Sequence, residues 1–172
     1  MEFIQHTINW TKGEILEAIT MAIFGALIIA CSTLLWKYGT TPYSKALIIP
    51  MLVVGLIPLI MGISGAISNK NRVSVYEDSW RQNGQQFILD EKIRVQGFDK
   101  IFRYSYPAAI ILTIGGAILF FLVSSPNWKA ISLAMMTMGL MAYFIDHFAA
   151  ERAEIYLKHI ERTLEKPVPN KG

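Results

Sequence analysis

The chain alternates between long uncharged segments and shorter charged ones. No Asp, Glu, Lys or Arg occurs from Ala18 to Trp36, from Ala46 to Asn69, from Tyr104 to Trp128 or from Ala130 to Ile145. A bilayer core of about 30 Å takes roughly 20 apolar residues in a helix. The first three runs meet that length, and the fourth meets it once Asp146 and His147 are counted at its edge. None of the runs has the period-two alternation of a membrane β-barrel strand. The pattern predicts an all-α integral membrane protein with four transmembrane helices, forming a single domain over residues 1–172. The expected spans are about 18–37, 46–69, 104–124 and 129–150. A cytoplasmic helical hairpin is expected at about 70–103 and a C-terminal helix at about 151–166.

The pattern also repeats. "TPYSKALIIPMLVVGLIPLIMGI" (Thr41–Ile63) aligns without a gap on "SPNWKAISLAMMTMGLMAYFIDH" (Ser125–His147), so that Pro42, Lys45, Ala46 and Gly55 meet Pro126, Lys129, Ala130 and Gly139. The same offset of 84 carries Val73, Tyr76 and Trp80 onto Leu157, Ile160 and Leu164. Both triplets have i, i+3, i+7 spacing, which is one face of a helix. The first and third helices align more loosely, as though the first outer loop were several residues longer. The expected architecture is two tandem hairpins in the same orientation, related by an axis along the membrane normal.

Amphipathic stretches precede each hairpin: "MEFIQHTINWTKGEILEAI" and "FILDEKIRVQGFDKIFRYSY". Between the halves, Asn83-Gly84 marks a turn. Short helices are expected here as a layer under the bundle. Their polar faces carry both signs of charge, so they should pack on one another rather than lie along headgroups.

Charge then fixes orientation. Asn69–Arg103 carries seven Lys and Arg, and the C-terminal tail carries five more, among them Lys166 and Lys171. The opposite loops hold only Lys37, Lys45 and Lys129. By the positive-inside rule both termini and the central loop are cytoplasmic, with the chain in an inner (plasma) membrane. The net charge of +3 reflects this bias. The basic residues are interleaved with acids, so nucleic acid is not an expected partner. The single cysteine, Cys31, excludes an intrachain disulfide and a Cys cluster. Its "LIIACS" context is not read as a lipoprotein cleavage box, because the apolar run continues through Trp36.

Small residues at helical spacing let membrane helices approach closely. Ala18, Ala22, Ala26 and Ala30 form such a ladder, as do Ala109, Thr113 and Ala117, with Gly62, Ala66, Ala149 and Ala153 on the other two helices. They point to tight packing and to a homo-oligomer in the bilayer. Pro50 and Pro58 are expected to bend the second helix.

Candidate chemistry gathers at the end of the fourth span. Ionisable groups at membrane depth are costly and mark a candidate site. Asp146 falls near the inner edge of the core, where Gly62 stands in the first half, and Arg103, Tyr104 and Tyr106 open the neighbouring helix as its natural partners. It serves either as a proton or cation site or as a registration device between helices. His147 and Glu151 are i, i+4 and offer at most a weak metal pair; no metal or other cofactor is expected. Arg152 and His159 are seven apart, a spacing used by a class of helical ribonucleases, on a face that is otherwise an ordinary solvated one. Met135, Met136, Met138 and Met141 read as flexible packing rather than a copper site. The chain lacks a Gly-rich phosphate loop, H-E-x-x-H and G-x-S-x-G. The expected function is a non-enzymatic oligomeric scaffold or accessory protein that meets a protein partner through its cytoplasmic helical layer. The alternatives are a small channel, transporter or pore gated near Asp146, and a membrane enzyme or metal protein using His147 and Glu151.

Overall fold

The computed structural model describes residues 3–165. Those residues form four helices and no strand: α1 (Phe3–Tyr38), α2 (Pro42–Gln82), α3 (Gly84–Leu122) and α4 (Pro126–Glu165). Each contains a segment long and apolar enough to cross a membrane. Each is also far longer than that segment requires. The short helices expected beneath the bundle are the ends of these same four helices, which run unbroken from an apolar layer into a polar one. Nothing stops them, because no Pro or Gly pair falls at the changeover between residues 13 and 18, or between 146 and 153.

Local chemistry sets the helix ends. Thr41 caps α2 through a capping box with Ser44, and Pro42 supplies a preformed φ at the first helical position. Asn83 alone separates α2 from α3; its side chain accepts from the Gln86 amide at 3.0 Å, as the Asn-Gly signal foretold. The two opposite turns, residues 39–41 and 123–125, have equal length. The longer first loop expected from the sequence is therefore absent: Tyr38 and Leu122 end their helices, and Pro42 and Pro126 begin theirs, 84 residues apart in both cases. α2 continues through Pro50 and Pro58, and α3 through Pro107.

α1 packs along α2, and α3 along α4; α2 and α4 meet in the middle, with α1 and α3 at opposite corners. In the apolar layer glycine sets the approach. A Cβ at Gly55 would sit 2.7 Å from the Ile29 side chain and 2.9 Å from the Gly25 carbonyl oxygen. Gly62 is pressed against the backbone of Ala18 and Ala22. On the other hairpin Gly116 faces the Ser132 carbonyl, and Gly139 faces Ala109 and Thr113. The Ser32 hydroxyl donates across to the Ile48 carbonyl at 2.7 Å, while Thr113, Ser132 and Thr137 return theirs to carbonyls one turn back. These four hydroxyls find partners without water, whereas the buried Ser105 hydroxyl has none.

The outside of this layer is apolar, with Ile23, Leu27, Ile49, Ile60, Ile111 and Ile118 exposed. Aromatic rings flank it. Trp36 (76% exposed), Tyr38, Tyr43 and Trp128 stand at the end that carries the 39–41 and 123–125 turns, and Tyr104 (75% exposed), Phe144 and Phe148 at the other. The side-chain core lies elsewhere, in the polar layer. There Phe3, Ile4, Ile8, Trp10, Phe87, Ile88, Val95, Tyr156 and Ile160 are buried, with Val73, Tyr76, Trp80, Leu157 and Leu164 packed against them.

Candidate functional site

Two acids on α1, Glu14 and Glu17, share a helix face one turn apart and point at α4. Helical Cα–Cβ bonds tilt toward the N-terminus, so Arg152 of α4 leans back toward the apolar layer and meets them. Its Nη2 lies 3.5 Å from the Glu14 carboxylate and also pairs with Glu17, and its Nη1 donates to the Gly13 carbonyl at 3.3 Å. Its Nε is buried with no partner. Burial pushes the Glu14 carboxyl above its ordinary value, its neighbour Glu17 adds to this, and Arg152 opposes both. Burial also raises Glu17, against Arg152, with Asp146 adding to the rise. Burial prevails because one guanidinium serves two half-desolvated carboxylates.

The sequence-derived candidates divide around this cluster. Arg152 is part of it. Asp146 is half-buried beside it, and the Tyr106 hydroxyl donates to the Asp146 backbone carbonyl at 3.3 Å. Among the described residues the Asp146 carboxylate forms no ion pair. Arg103 and Tyr104 face outward and do not approach it. His147 is exposed and stacks on Tyr143 with ring centroids 6.2 Å apart. Glu151 is exposed too, and no group of three His, Cys, Asp or Glu able to hold a metal occurs among the described residues.

Below the cluster, α1 and α4 enclose a groove of about 220 Å³. His6, Asn9 and Trp10 line it from α1, and Arg152, Ile155, Tyr156 and His159 from α4. The His6 and His159 rings stack at 4.6 Å, tilted by 22°. Burial lowers the His6 pKa, and the facing His159 lowers it further. Arg152 and His159, seven apart in sequence, thus share a groove.

The floor of the groove is a closed polar network. Glu91 of α3, 3% exposed, accepts two bonds from Arg94 at 2.9 and 2.6 Å and one from the Tyr156 hydroxyl at 3.0 Å. The Tyr156 oxygen also meets the Thr7 hydroxyl at 2.6 Å. The Arg94 guanidinium lies over the Trp10 ring, 4.5 Å from its centroid. Burial, with Glu91 next to it, holds the Tyr156 phenol protonated well beyond its ordinary range. Sequence reasoning missed Glu14, Glu17, His6, Asn9 and this network. Its one available signal was Glu14-x-x-Glu17, an acidic pair on one helix face immediately before an uncharged run.

No family model, no curated protein and no solved structure matches the chain.

Proposed function

We propose that the chain is a multi-pass membrane protein of an inner or plasma membrane, built from two tandem hairpins, with both termini cytoplasmic. It acts as a scaffold or accessory protein whose rigid polar layer offers the α1–α4 groove to a protein partner. The carrying observation is the continuity of the four helices. They leave the apolar layer without a break and enclose the aromatic core, so the polar layer is a fixed platform rather than a set of hinged appendages.

The tandem reading is supported by paired contacts at the offset of 84. Gly55 against Gly25 and Ile29 has its counterpart in Gly139 against Ala109 and Thr113. Phe3 and Ile4, buried in the core, correspond to Phe87 and Ile88 in the same core. Within that frame the charges are unequal. Glu14, Glu17 and Arg152 correspond to Phe98, Ile101 and Ser68, and Asp146 to Gly62. The α1–α4 side therefore carries groups that the shared frame does not need, and this favours it as the working face. Small-residue seams also suit a homo-oligomer in the bilayer.

Groove-filling variants, Asn9→Trp and Ile155→Trp, test the scaffold reading. They should abolish recovery of a partner from native membranes, while Ile23→Leu on the lipid-facing side leaves it intact. Equal recovery in all three would overturn it.

A second reading is supported by two carboxylates, Glu14 and Glu17, on one arginine at the edge of the apolar layer, with Asp146 near Glu17. It makes that edge the gate of a small permeation path. Proton or cation flux in liposomes should then fall in Asp146→Asn; an identical leak in both proteins would remove this reading.

A further inference from the structure

We propose that the α2–α3 side of the polar layer binds the headgroup of an anionic phospholipid. The inference rests on the membrane-spanning reading above.

Four cations stand where the apolar segments of α2 and α3 end: Lys70 and Arg72 on α2, Lys100 and Arg103 on α3. All four are exposed. Among the described residues none forms an ion pair; Arg72 donates to the Asn69 side chain at 3.5 Å and lies beside the Tyr76 hydroxyl. Four other cations in this layer are held by acids. Arg152 is held by two glutamates, Arg94 by Glu91, Lys158 by Glu154 and Lys92 by Glu161. Asp99 is the one acid in the sequence among the four, so the stretch keeps an excess of three positive charges. On the opposite side Glu14, Glu17, Asp146 and Glu151 outnumber Lys12 and Arg152 at the same level.

Helix direction brings the heads toward one level, with Lys70 and Arg72, two residues apart, on different faces of α2. α2 runs out of the apolar layer, so Lys70 and Arg72 lean back toward it. α3 runs into that layer, so Lys100 and Arg103 lean away from it. The two pairs converge on one level at the boundary, where a phospholipid carries its phosphate. Exposed Ile63 and Ile67 precede them on α2, and exposed Ile101 and Tyr104 lie beside them on α3. An apolar surface continuous with a cationic one fits an amphiphile with an anionic head, not a free anion.

The test uses the full chain. Resistance to alkaline carbonate extraction first establishes that it is integral; extraction would overturn the membrane reading itself. Native mass spectrometry then compares retained phosphatidylglycerol with phosphatidylcholine. Wild type should prefer phosphatidylglycerol. The preference should fall by roughly fivefold per cation removed in Lys70→Gln, Arg72→Gln, Lys100→Gln and Arg103→Gln, singly and combined, each with an unchanged helical melt. Lys12→Gln/Arg162→Gln on the other side should keep it. An integral protein with no preference, an equal loss in the Lys12/Arg162 variant, or complete displacement by millimolar inorganic phosphate would overturn the proposal.

Discussion

Arg152 of α4 holds Glu14 of α1 at 3.5 Å, and the same guanidinium pairs with Glu17. Among the described residues no other ion pair joins these two helices. It sits where the chain changes from apolar to polar, and it fixes the register of the first helix against the last.

Removing the guanidinium should therefore cost more than a surface ion pair would. Breaking a fully buried pair costs about 3–5 kcal/mol, and the partial exposure of these three side chains lowers that to about 2 kcal/mol for Arg152→Ala. Arg152→Lys keeps the charge without the two-nitrogen reach and should cost about half as much. Thermal unfolding in detergent measures both; a variant that melts with wild type would show that the pair contributes nothing.

The same cluster gives stability a pH dependence. An acid whose folded pKa lies above its unfolded value binds a proton on folding between the two. Its effect is absent below the unfolded value of about 4.5 and becomes a penalty as pH rises through the folded value. Stability should thus fall across the mildly acidic range. Glu14→Gln should make that slope shallower, in melts recorded from pH 4.5 to 7. An unchanged slope contradicts the assignment.

Glu91 tests the buried network in the opposite sense. Arg94, the Tyr156 hydroxyl and, through it, Thr7 all depend on its carboxylate. Glu91→Ala strands a guanidinium among aromatic rings and should cost about 3 kcal/mol or more. Tyr156→Phe removes one bond from a carboxylate that keeps two others, and should cost about 1–2 kcal/mol. Chemical denaturation orders the two; the reverse order would mean that the ring hydroxyl, not the ion pair, organises the layer.

Glycines separate close packing from helix propensity. At Gly62 and Gly55 a methyl group would collide with the backbone of α1, so Gly62→Ala and Gly55→Ala should destabilise by about 1–3 kcal/mol. At Gly97 nothing lies within 4 Å, and Gly97→Ala should be neutral or stabilising by up to about 1 kcal/mol. Equal effects at all three sites would deny the close α1–α2 approach.

Much of this architecture is legible in the residues. Four uncharged runs become four helices with apolar spans, and Val73, Tyr76, Trp80, Leu157, Ile160 and Leu164 all reach the polar-layer core. The alanine ladder follows the intrachain seam only in part, for a geometric reason. Steps of four residues advance a helix by about 400°, so Ala30 lies roughly 120° away from Ala18. Ala18 is buried, while Ala26 and Ala30 are exposed. The seam instead alternates steps of four and three through Ala18, Ala22, Gly25, Ile29 and Ser32, the 3.5-residue repeat of coiled-coil packing. The partners of Arg152 were hidden because Glu14 and Glu17 lie 138 and 135 positions away in sequence, and no local pattern records which helix ends meet. Asp146 stands where the apolar run of α4 ends, and the Tyr106 hydroxyl bonds its backbone, a contact that any residue there would offer.

The central claim is that the α1–α4 groove is where this protein meets a partner. Site-specific photo-crosslinking in native membranes tests it directly, with the photoreactive residue placed at Asn9 or Ile155 in the groove and at Ile23 or Ile118 on the apolar outside. The account predicts a discrete protein adduct from the groove positions and none from the apolar ones. Lipid adducts alone from every position, or the same protein adduct from the apolar positions, would contradict it.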